Sequence, residues 1–167
     1  MKRTLTVITL ILLGVIAFLV LQMNSAGNIC ERTKYFSQYR QDLYMLRDLM
    51  IKLDQTTNIR GFISKMGEDR DLLNLNAGGL VPLNKAIDHE FAAYKNDLLK
   101  VKSIVGINRI GYINIEDGKA LWVTMSGGGA LGVDYGYVWT QGQPLPTDYK
   151  LRSCVIPGEP NWYVFSR

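Results

Sequence analysis

The stretch that decides the fold is RIGYINIEDGKALWVTM, residues 109–125. Two runs of strand-forming residues flank Asp117 and Gly118, and a two-residue Asp-Gly turn is among the strongest short-range signals of a β-hairpin. A turn of this length places Glu116 opposite Lys119, which gives an ion pair next to the turn. The sequence therefore predicts an antiparallel hairpin, with a register that follows from its turn.

Three further strand-like runs follow the hairpin, and turn-forming residues separate them. The runs are VDYGYVWT, YKLRSCVI and NWYVFS, with QGQPLPTD and PGEP between them. β-Branched and aromatic residues are frequent in these runs, as is typical of strands. Residues 106–167 are therefore predicted to form an antiparallel meander of about five strands.

The segment before the hairpin, residues 31–105, has helical periodicity instead. Its clearest helix is predicted over residues 80–101, where apolar residues recur every three or four positions. A shorter helix is expected over residues 56–67, with a Thr-Thr-Asn cap at its start and a glycine at its end. Because predicted helices precede predicted strands, the fold class is α+β, with amphipathic helices packed on one face of the sheet.

The first helix of this region, residues 31–53, carries a narrow apolar stripe. The stripe consists of Phe36, Tyr39, Leu43, Leu46, Met50 and Leu53. It could pair two copies of the chain in a coiled coil, which makes a homo-oligomer a candidate state. It could also pack on its own domain, and this interpretation is favoured because the stripe covers fewer than four heptads.

The N-terminus consists of a short basic tip, residues 1–4, and an uncharged apolar run, residues 5–23. Such a run reaches the lower end of what crosses a bilayer as a transmembrane helix, and it exceeds the apolar part of most signal peptides. We expect an uncleaved single-pass anchor, with a cleaved signal peptide as the alternative. The basic tip should stay in the cytoplasm, so that a linker, residues 24–30, leads to one exported domain, residues 31–167. These features indicate a bacterial inner-membrane protein with a periplasmic domain.

The formal net charge of +4 first suggests a nucleic-acid-binding protein. Of the 19 basic residues, however, Lys2 and Arg3 precede the apolar run, which leaves 17 basic against 15 acidic residues in the rest of the chain. The two signs alternate without a basic run, whereas nucleic-acid binding requires a basic cluster on one face. No nucleic-acid partner is predicted.

The chain contains two cysteines, Cys30 and Cys154. An even number of cysteines in an exported domain favours a disulfide, because the compartment is oxidising. Their spacing does not match C-x-x-C, so a redox catalyst is not expected. We predict a Cys30–Cys154 bond that joins the segment leaving the membrane to a late strand.

The glycine-rich segment SGGGALG, residues 126–132, matches the G-x-G-x-x-G pattern of nucleotide-binding loops. A dinucleotide fingerprint needs its glycines between a strand and a helix, whereas this segment joins two predicted strands. A kinase glycine loop does join two strands, but it requires valine where Asp134 stands, and no other kinase motif follows. No cofactor is predicted, and the segment is expected to be a mobile hairpin loop.

Candidate catalytic and metal-ligating residues do not combine into a known site. His89 is the only histidine, and Ala93 stands where the H-E-x-x-H zinc motif needs its second histidine. One histidine and two distant cysteines cannot complete a closed zinc site. No glutamate starts the Glu-x8-Asp/Cys-x5-Thr pattern of phage-type lysozymes. No metal site and no catalytic residue are predicted, although a glycosidase carboxylate pair is possible in principle.

Aromatic residues are concentrated on the predicted strands, and Tyr135, Tyr137 and Trp139 share one strand face because successive side chains alternate. They form either sheet core, which aromatic residues favour, or a recognition face, where Tyr and Trp concentrate binding energy. We therefore expect a membrane-anchored, non-catalytic module that binds another envelope protein, as an accessory subunit or as an inhibitor- or immunity-type partner. A self-associating structural subunit of a membrane machine and a small cell-wall enzyme are the alternatives.

Overall fold

A computed structural model of the chain describes residues 29–64, 71–76, 78–125, 135–143 and 152–166, together with Gly14 and Leu145. Apart from Gly14, the predicted membrane anchor, residues 5–23, lies outside the described residues. Among the residues that the structure describes, no helix has the length and apolar character needed to cross a bilayer.

The described residues form one eight-stranded antiparallel sheet in the spatial order β3-β2-β1-β4-β5-β6-β8-β7. The strands are β1 (Ile59–Ile63), β2 (Leu72–Leu75), β3 (Leu80–Pro82), β4 (Ile110–Glu116), β5 (Ala120–Met125), β6 (Tyr135–Thr140), β7 (Arg152–Val155) and β8 (Trp162–Ser166). Five of them lie within the predicted meander, although β8 inserts between β6 and β7. The other three lie in the region predicted to be helical. The α+β class is thus confirmed, with a larger sheet than expected.

The helices lie on one face of this sheet. They are α1 (Phe36–Thr56), α2 (Leu83–Asp88) and α3 (Lys95–Ile107), with two 3-10 helices, η1 (Ile29–Tyr35) and η2 (Ala92–Tyr94). In α1 the stripe residues are at most 2% exposed except Tyr39, which is half-buried, and they belong to the same core cluster as the sheet. The stripe therefore packs on its own domain, and a coiled coil through it would have to displace the sheet.

The predicted hairpin forms, but its register differs by one residue. β4 and β5 pair Glu116 with Ala120 rather than with Lys119. Both residues of the Asp-Gly turn have positive φ, 50° and 65°, as the turn requires, and the Lys119 N–H donates to the Glu116 carbonyl at 2.8 Å. The Lys119 carbonyl, however, accepts from the Gln141 N–H at 2.8 Å. Lys119 is therefore an extra, bulge-like residue, because its carbonyl bonds beyond the hairpin.

The prediction of a short helix over residues 56–67 is wrong, because the strand β1 occupies residues 59–63. Thr57, expected to begin that helix, instead ends α1, since its N–H donates to the Leu53 carbonyl at 2.9 Å. Its hydroxyl then accepts from the Ile59 N–H at 3.0 Å, and β1 begins. β1 pairs with β4, which sets Phe62 opposite Ile113. Pairing with the distant hairpin thus overrides the local spacing, as tertiary contacts commonly do.

The prediction of a single helix over residues 80–101 is also wrong. Four separate elements occupy this part of the chain, namely β3, α2, η2 and the first part of α3. The backbone leaves the helical conformation at His89, where φ is −131°. The Phe91 N–H then donates to the Ala86 carbonyl at 2.9 Å, one residue beyond the α-helical spacing. This deviation accompanies the burial of Phe91, which is 5% exposed.

β5 and β6 approach closely at Gly136 in the centre of the sheet. A Cβ atom at this position would lie 1.9 Å from the carbonyl oxygen of Val123 on β5. Only glycine fits such a contact without a backbone shift. On the face opposite α1, Trp122 and Phe165 make an edge contact, with ring centroids 5.2 Å apart.

Candidate functional site

A groove of about 320 Å³ opens between η1 and the start of α1 on one side and the β7–β8 connection on the other. We call it the N-terminal groove, because it lies where the described chain begins. It is lined by Thr33, Lys34, Phe36, Ser37, Arg40, Ile156, Pro157 and Glu159. Its volume is at the lower end of the range of small-ligand sites.

The predicted Cys30–Cys154 disulfide is present, and it joins the two segments that lead into the walls of the groove. The Cα atoms are 5.3 Å apart, with Cys30 in η1 and Cys154 in β7. η1 also packs against β7 and β8, and the Thr33 hydroxyl donates to the Cys30 carbonyl at 2.8 Å. The groove is therefore preformed rather than assembled from independent segments.

Glu159 is a buried carboxylate in the wall of the groove, with 7% of its surface exposed. Arg40 forms an ion pair with Oε1, and the Tyr44 hydroxyl donates to Oε2 at 2.7 Å. The Glu159 N–H donates to the Ile156 carbonyl at 3.1 Å and closes the turn. A buried carboxylate is tolerated only when it is paired and hydrogen-bonded, and both oxygens of Glu159 are engaged.

The charged side chains that line the groove are Lys34, Arg40 and Glu159. Arg40 and Glu159 compensate each other, although 58% of the Arg40 side chain is exposed. Lys34 is exposed and lies over the Tyr35 ring, with Nζ 5.1 Å from the centroid. No ion pair joins Lys34 to an acidic side chain among the described residues. Of these three side chains, Lys34 is therefore the one without an ion-pair partner among the described residues.

The floor of the groove continues into an aromatic layer between α1 and the sheet. The Phe36 ring centroid lies 5.4 Å from that of Tyr137 and 5.4 Å from that of Trp162. Burial, and then the nearby Tyr39 and Tyr135, raises the pKa of the Tyr137 phenol above its ordinary value. Tyr137 is therefore neutral at physiological pH and acts as a packing residue.

The aromatic face proposed from the sequence lies mostly inside this layer. Tyr137 and Trp139 are 2% and 9% exposed, so these two side chains belong to the core rather than to a free recognition face. Tyr135 is half-buried, and the Arg32 guanidinium lies 3.9 Å from its ring centroid. Arg47 makes a similar contact at the other margin, 5.5 Å from the Trp139 ring. Arginines from the helical layer thus border both ends of the face.

A second polar cluster joins the end of α1 to the hairpin turn. Arg60 on β1 lies 3.7 Å from Asp54 of α1 and 3.0 Å from Asp117 of the turn. Desolvation raises the pKa of Asp54, with Asp117 adding to the effect and Arg60 and the Gly118 N–H opposing it. Since these contacts bridge three elements, we interpret the cluster as structural.

The other sequence motifs do not add to the groove. His89 is exposed after α2, and the glycine-rich segment 126–132 lies outside the described residues. No group of three or more potential metal-ligating side chains occurs among the residues that the structure covers. The sequence interpretation missed Arg40, Tyr44 and Glu159 as a group. Glu159 lies between two prolines in a turn, but no sequence signal pairs it with a tyrosine 115 positions earlier.

Comparisons with protein-family models, with curated proteins and with solved structures found no match. The function of the chain is therefore inferred from the chemistry of the groove and of the segment that leads into it.

Proposed function

We propose that the chain is a membrane-tethered protein of a bacterial envelope, whose folded domain lies outside the cytosol and binds another envelope protein without catalysing a reaction. The observation that carries this proposal is the Cys30–Cys154 disulfide, which closes the domain shortly after the apolar run. Disulfides persist in oxidising compartments and are rare in the cytosol. A cytoplasmic N-terminus, one inner-membrane span and a periplasmic domain account for both features.

Binding rather than catalysis is supported by the polar groups around the groove. A general base needs a free acceptor within reach of its substrate. The Glu159 carboxylate already accepts from Arg40 and Tyr44, and the raised pKa of Tyr137 keeps that phenol protonated. A preformed groove whose carboxylate is already paired is better suited to recognition than to acid–base chemistry.

The binding proposal is tested by photocrosslinking the full chain in its native membrane. A photoreactive amino acid is placed in turn at three exposed positions on different surfaces, namely Ser37 in the groove, Leu80 on β3 and Lys100 on α3. We expect one of these positions to form an adduct with one other envelope protein. Adducts between copies of the chain would favour the self-associating structural subunit instead. The absence of a protein adduct at all three positions would contradict binding.

A further inference from the structure

The outward side of α3 carries exposed apolar residues. Leu99 and Ile107 are 41% and 75% exposed, and they lie about two turns apart on one side of the helix. Ser103 and Gly106, which are also exposed, complete this side. We call these four residues the α3 face. Because small residues separate the two aliphatic side chains, the face is a continuous uncharged strip rather than two isolated positions.

Lysines border the α3 face on both sides. Lys95 and Lys102 lie along one margin and Lys100 along the other, as follows from 3.6 residues per turn. The only acidic residue of α3, Asp97, lies on the side of α1, where it accepts from the Lys52 ammonium at 2.7 Å. The exposed side of the helix therefore combines an apolar centre with basic margins, a pattern typical of helices that lie on a membrane surface.

Two of these lysines also contact acidic side chains. Lys95 Nζ lies 3.6 Å from Asp88, and Lys102 Nζ lies 3.5 Å from Asp71. Both distances are long for an ion pair, and the lysine side chains are 50% and 46% exposed. Exposed pairs of this kind contribute little to stability. The ammonium groups therefore remain accessible to an anionic surface.

The described domain begins close to the predicted anchor. Five residues, 24–28, separate the apolar run from Ile29, and a connection of this length spans at most about 20 Å. Ile29 is buried, and the disulfide of Cys30 fixes η1 to β7. The 21 residues of α1 alone are longer than this connection, at about 30 Å. With the apolar run in a bilayer, the domain therefore stays within reach of the lipid surface.

α3 runs antiparallel to α1. The Asn108 side-chain amide donates to Asp42 at 2.7 Å, near the start of α1, and Lys52 donates to Asp97 at 2.7 Å, further along. Since η1 and the connection to the anchor precede α1, the end of α3 that carries Ile107 lies beside the half of α1 nearer the anchor.

We propose that the α3 face lies on the anionic phospholipid surface of the membrane that holds the anchor. Leu99 and Ile107 enter the headgroup region, and the three bordering lysines contact lipid phosphates. Each lysine near an anionic surface raises the affinity about fivefold. This inference deepens the proposed function, because it assigns the surface that faces the membrane, and it rests on the anchor in that proposal.

The size of the α3 face favours a membrane over a protein partner. A stable protein interface buries about 800 Å² on each side, more than one side of a 13-residue helix offers. A tethered domain needs only a weak contact with the bilayer, because the tether gives it a high effective concentration at the surface.

The test uses the full chain, with its disulfide intact, in lipid nanodiscs. The discs contain phosphatidylcholine alone or equal parts of phosphatidylcholine and phosphatidylglycerol, and some lipids carry a nitroxide quencher on the headgroup. A fluorescent amino acid replaces Ser103 in the α3 face or, as the control, the exposed Leu80. The Leu80 side chain lies on the sheet face away from the helices, because its neighbour Val81 packs against the core. In the anionic discs we expect several-fold stronger quenching at position 103 than at position 80.

Two triple variants separate the α3 face from a general effect of net charge. The first replaces the three lysines that border the face with glutamine, and it should reduce quenching at position 103 to the level seen in neutral discs. The second, Lys34→Gln/Lys85→Gln/Lys119→Gln, removes the same charge from exposed positions elsewhere and should leave the quenching unchanged. Unchanged unfolding midpoints show that both are folded. Arginine at the three bordering positions keeps the charge and should keep the quenching, which tests the proposal if the glutamine variant does not fold.

Equal quenching at positions 103 and 80 overturns the proposal, as does equal behaviour of the two glutamine variants. A photocrosslinked adduct between position Lys100 and another protein in the native membrane also overturns it, since the face would then belong to a protein partner. Failure of the anchor is distinguishable, because alkaline carbonate would then extract the full chain from its membrane and the proposed function would fail as well. A chain that resists extraction but shows no quenching contradicts this inference alone.

Discussion

At the scale of single residues, the most informative position is Glu159, which connects the last turn of the chain to its first long helix. Its carboxylate accepts from Arg40 and Tyr44, both on α1. Removing one partner of a buried charge pair costs most when the charge that remains is the one shielded from water. Glu159 is 7% exposed, whereas 58% of the Arg40 side chain is exposed. The two partners are therefore not equivalent.

We predict that Arg40→Met destabilises the protein more than Glu159→Gln. The first change leaves an uncompensated buried carboxylate and should cost about 2–3 kcal/mol, toward the lower end for a broken buried pair because the site is near solvent. The second leaves a neutral amide beside a solvated guanidinium and should cost about 1 kcal/mol. Urea unfolding measures both changes, and the reverse order would contradict this description of the pair.

The raised pKa of Asp54 predicts a pH effect with a definite sign. The folded pKa lies above the unfolded value of about 4, so the folded state binds the proton more readily. The destabilisation caused by the ionised carboxylate is complete above the folded pKa and disappears below the unfolded one. The stability of the native protein relative to Asp54→Asn should therefore increase as pH falls from about 7 to about 3. A decrease in urea unfolding measurements would show that the Arg60 ion pair outweighs desolvation.

Residue-level prediction from the sequence succeeded where a simple rule applied. Two cysteines have one possible intramolecular partner each, and the predicted Cys30–Cys154 bond is present. The pairing of Glu159 with Arg40 and Tyr44 was not predictable, because it depends on how the β7–β8 turn meets α1 across the sheet edge.

At the scale of elements, the contact between β5 and β6 depends on the absence of a side chain at Gly136. A Cβ atom there would overlap the carbonyl oxygen of Val123, 1.9 Å away. Gly106 near the end of α3 is the matched control, since an added Cβ would meet nothing within 4 Å. Both glycines belong to regular elements and neither has a positive φ.

We predict opposite effects of alanine at these two glycines. Gly136→Ala must separate two central strands and should destabilise the protein by about 3 kcal/mol or more, as overpacking and backbone shifts do. Gly106→Ala should be neutral or stabilising by up to about 1 kcal/mol, because alanine favours helix. Thermal unfolding of both variants checks the prediction. Similar midpoints for the two would contradict the close approach at β6.

The elements predicted from the sequence differ in what determines them. The β4–β5 hairpin was predictable from its Asp-Gly turn, but its register also depends on Gln141, which bonds to Lys119 from beyond the hairpin. β1 was misread as helix because its pairing partner is β4, which follows some fifty positions later. The helix predicted over residues 80–101 breaks at His89, and the buried Phe91 then bonds one residue beyond the helical spacing.

At the scale of the whole molecule, the disulfide constrains almost the full length of the domain, since its cysteines are separated by 124 positions. We predict that the double variant Cys30→Ala/Cys154→Ala lowers the free energy of unfolding by up to about 4–5 kcal/mol. This is the stabilisation expected when a disulfide closes a loop of this size and reduces the entropy of the unfolded chain. The double variant also avoids leaving a single reactive thiol. Urea unfolding measures the loss, and an unchanged midpoint would show that η1 is held by packing alone.

The α+β class, with helices on one sheet face, was predictable because periodicity separates the helical stripe of α1 from the strands after it. The number of strands was not, since β1 to β3 become strands only by joining a sheet that later residues complete. The anchor over residues 5–23 and the periplasmic location stay predictions from composition, and they determine where the groove would meet a partner.

The central claim, an oxidised domain outside the cytosol, is tested most directly by the thiol state of the native protein. Cells are treated with an alkylating reagent before lysis, and peptides from the unreduced protein are identified by mass spectrometry. We predict a peptide pair joined through Cys30 and Cys154, with neither cysteine alkylated. Alkylation of both cysteines in the folded native protein would contradict the claim and place the domain in a reducing compartment.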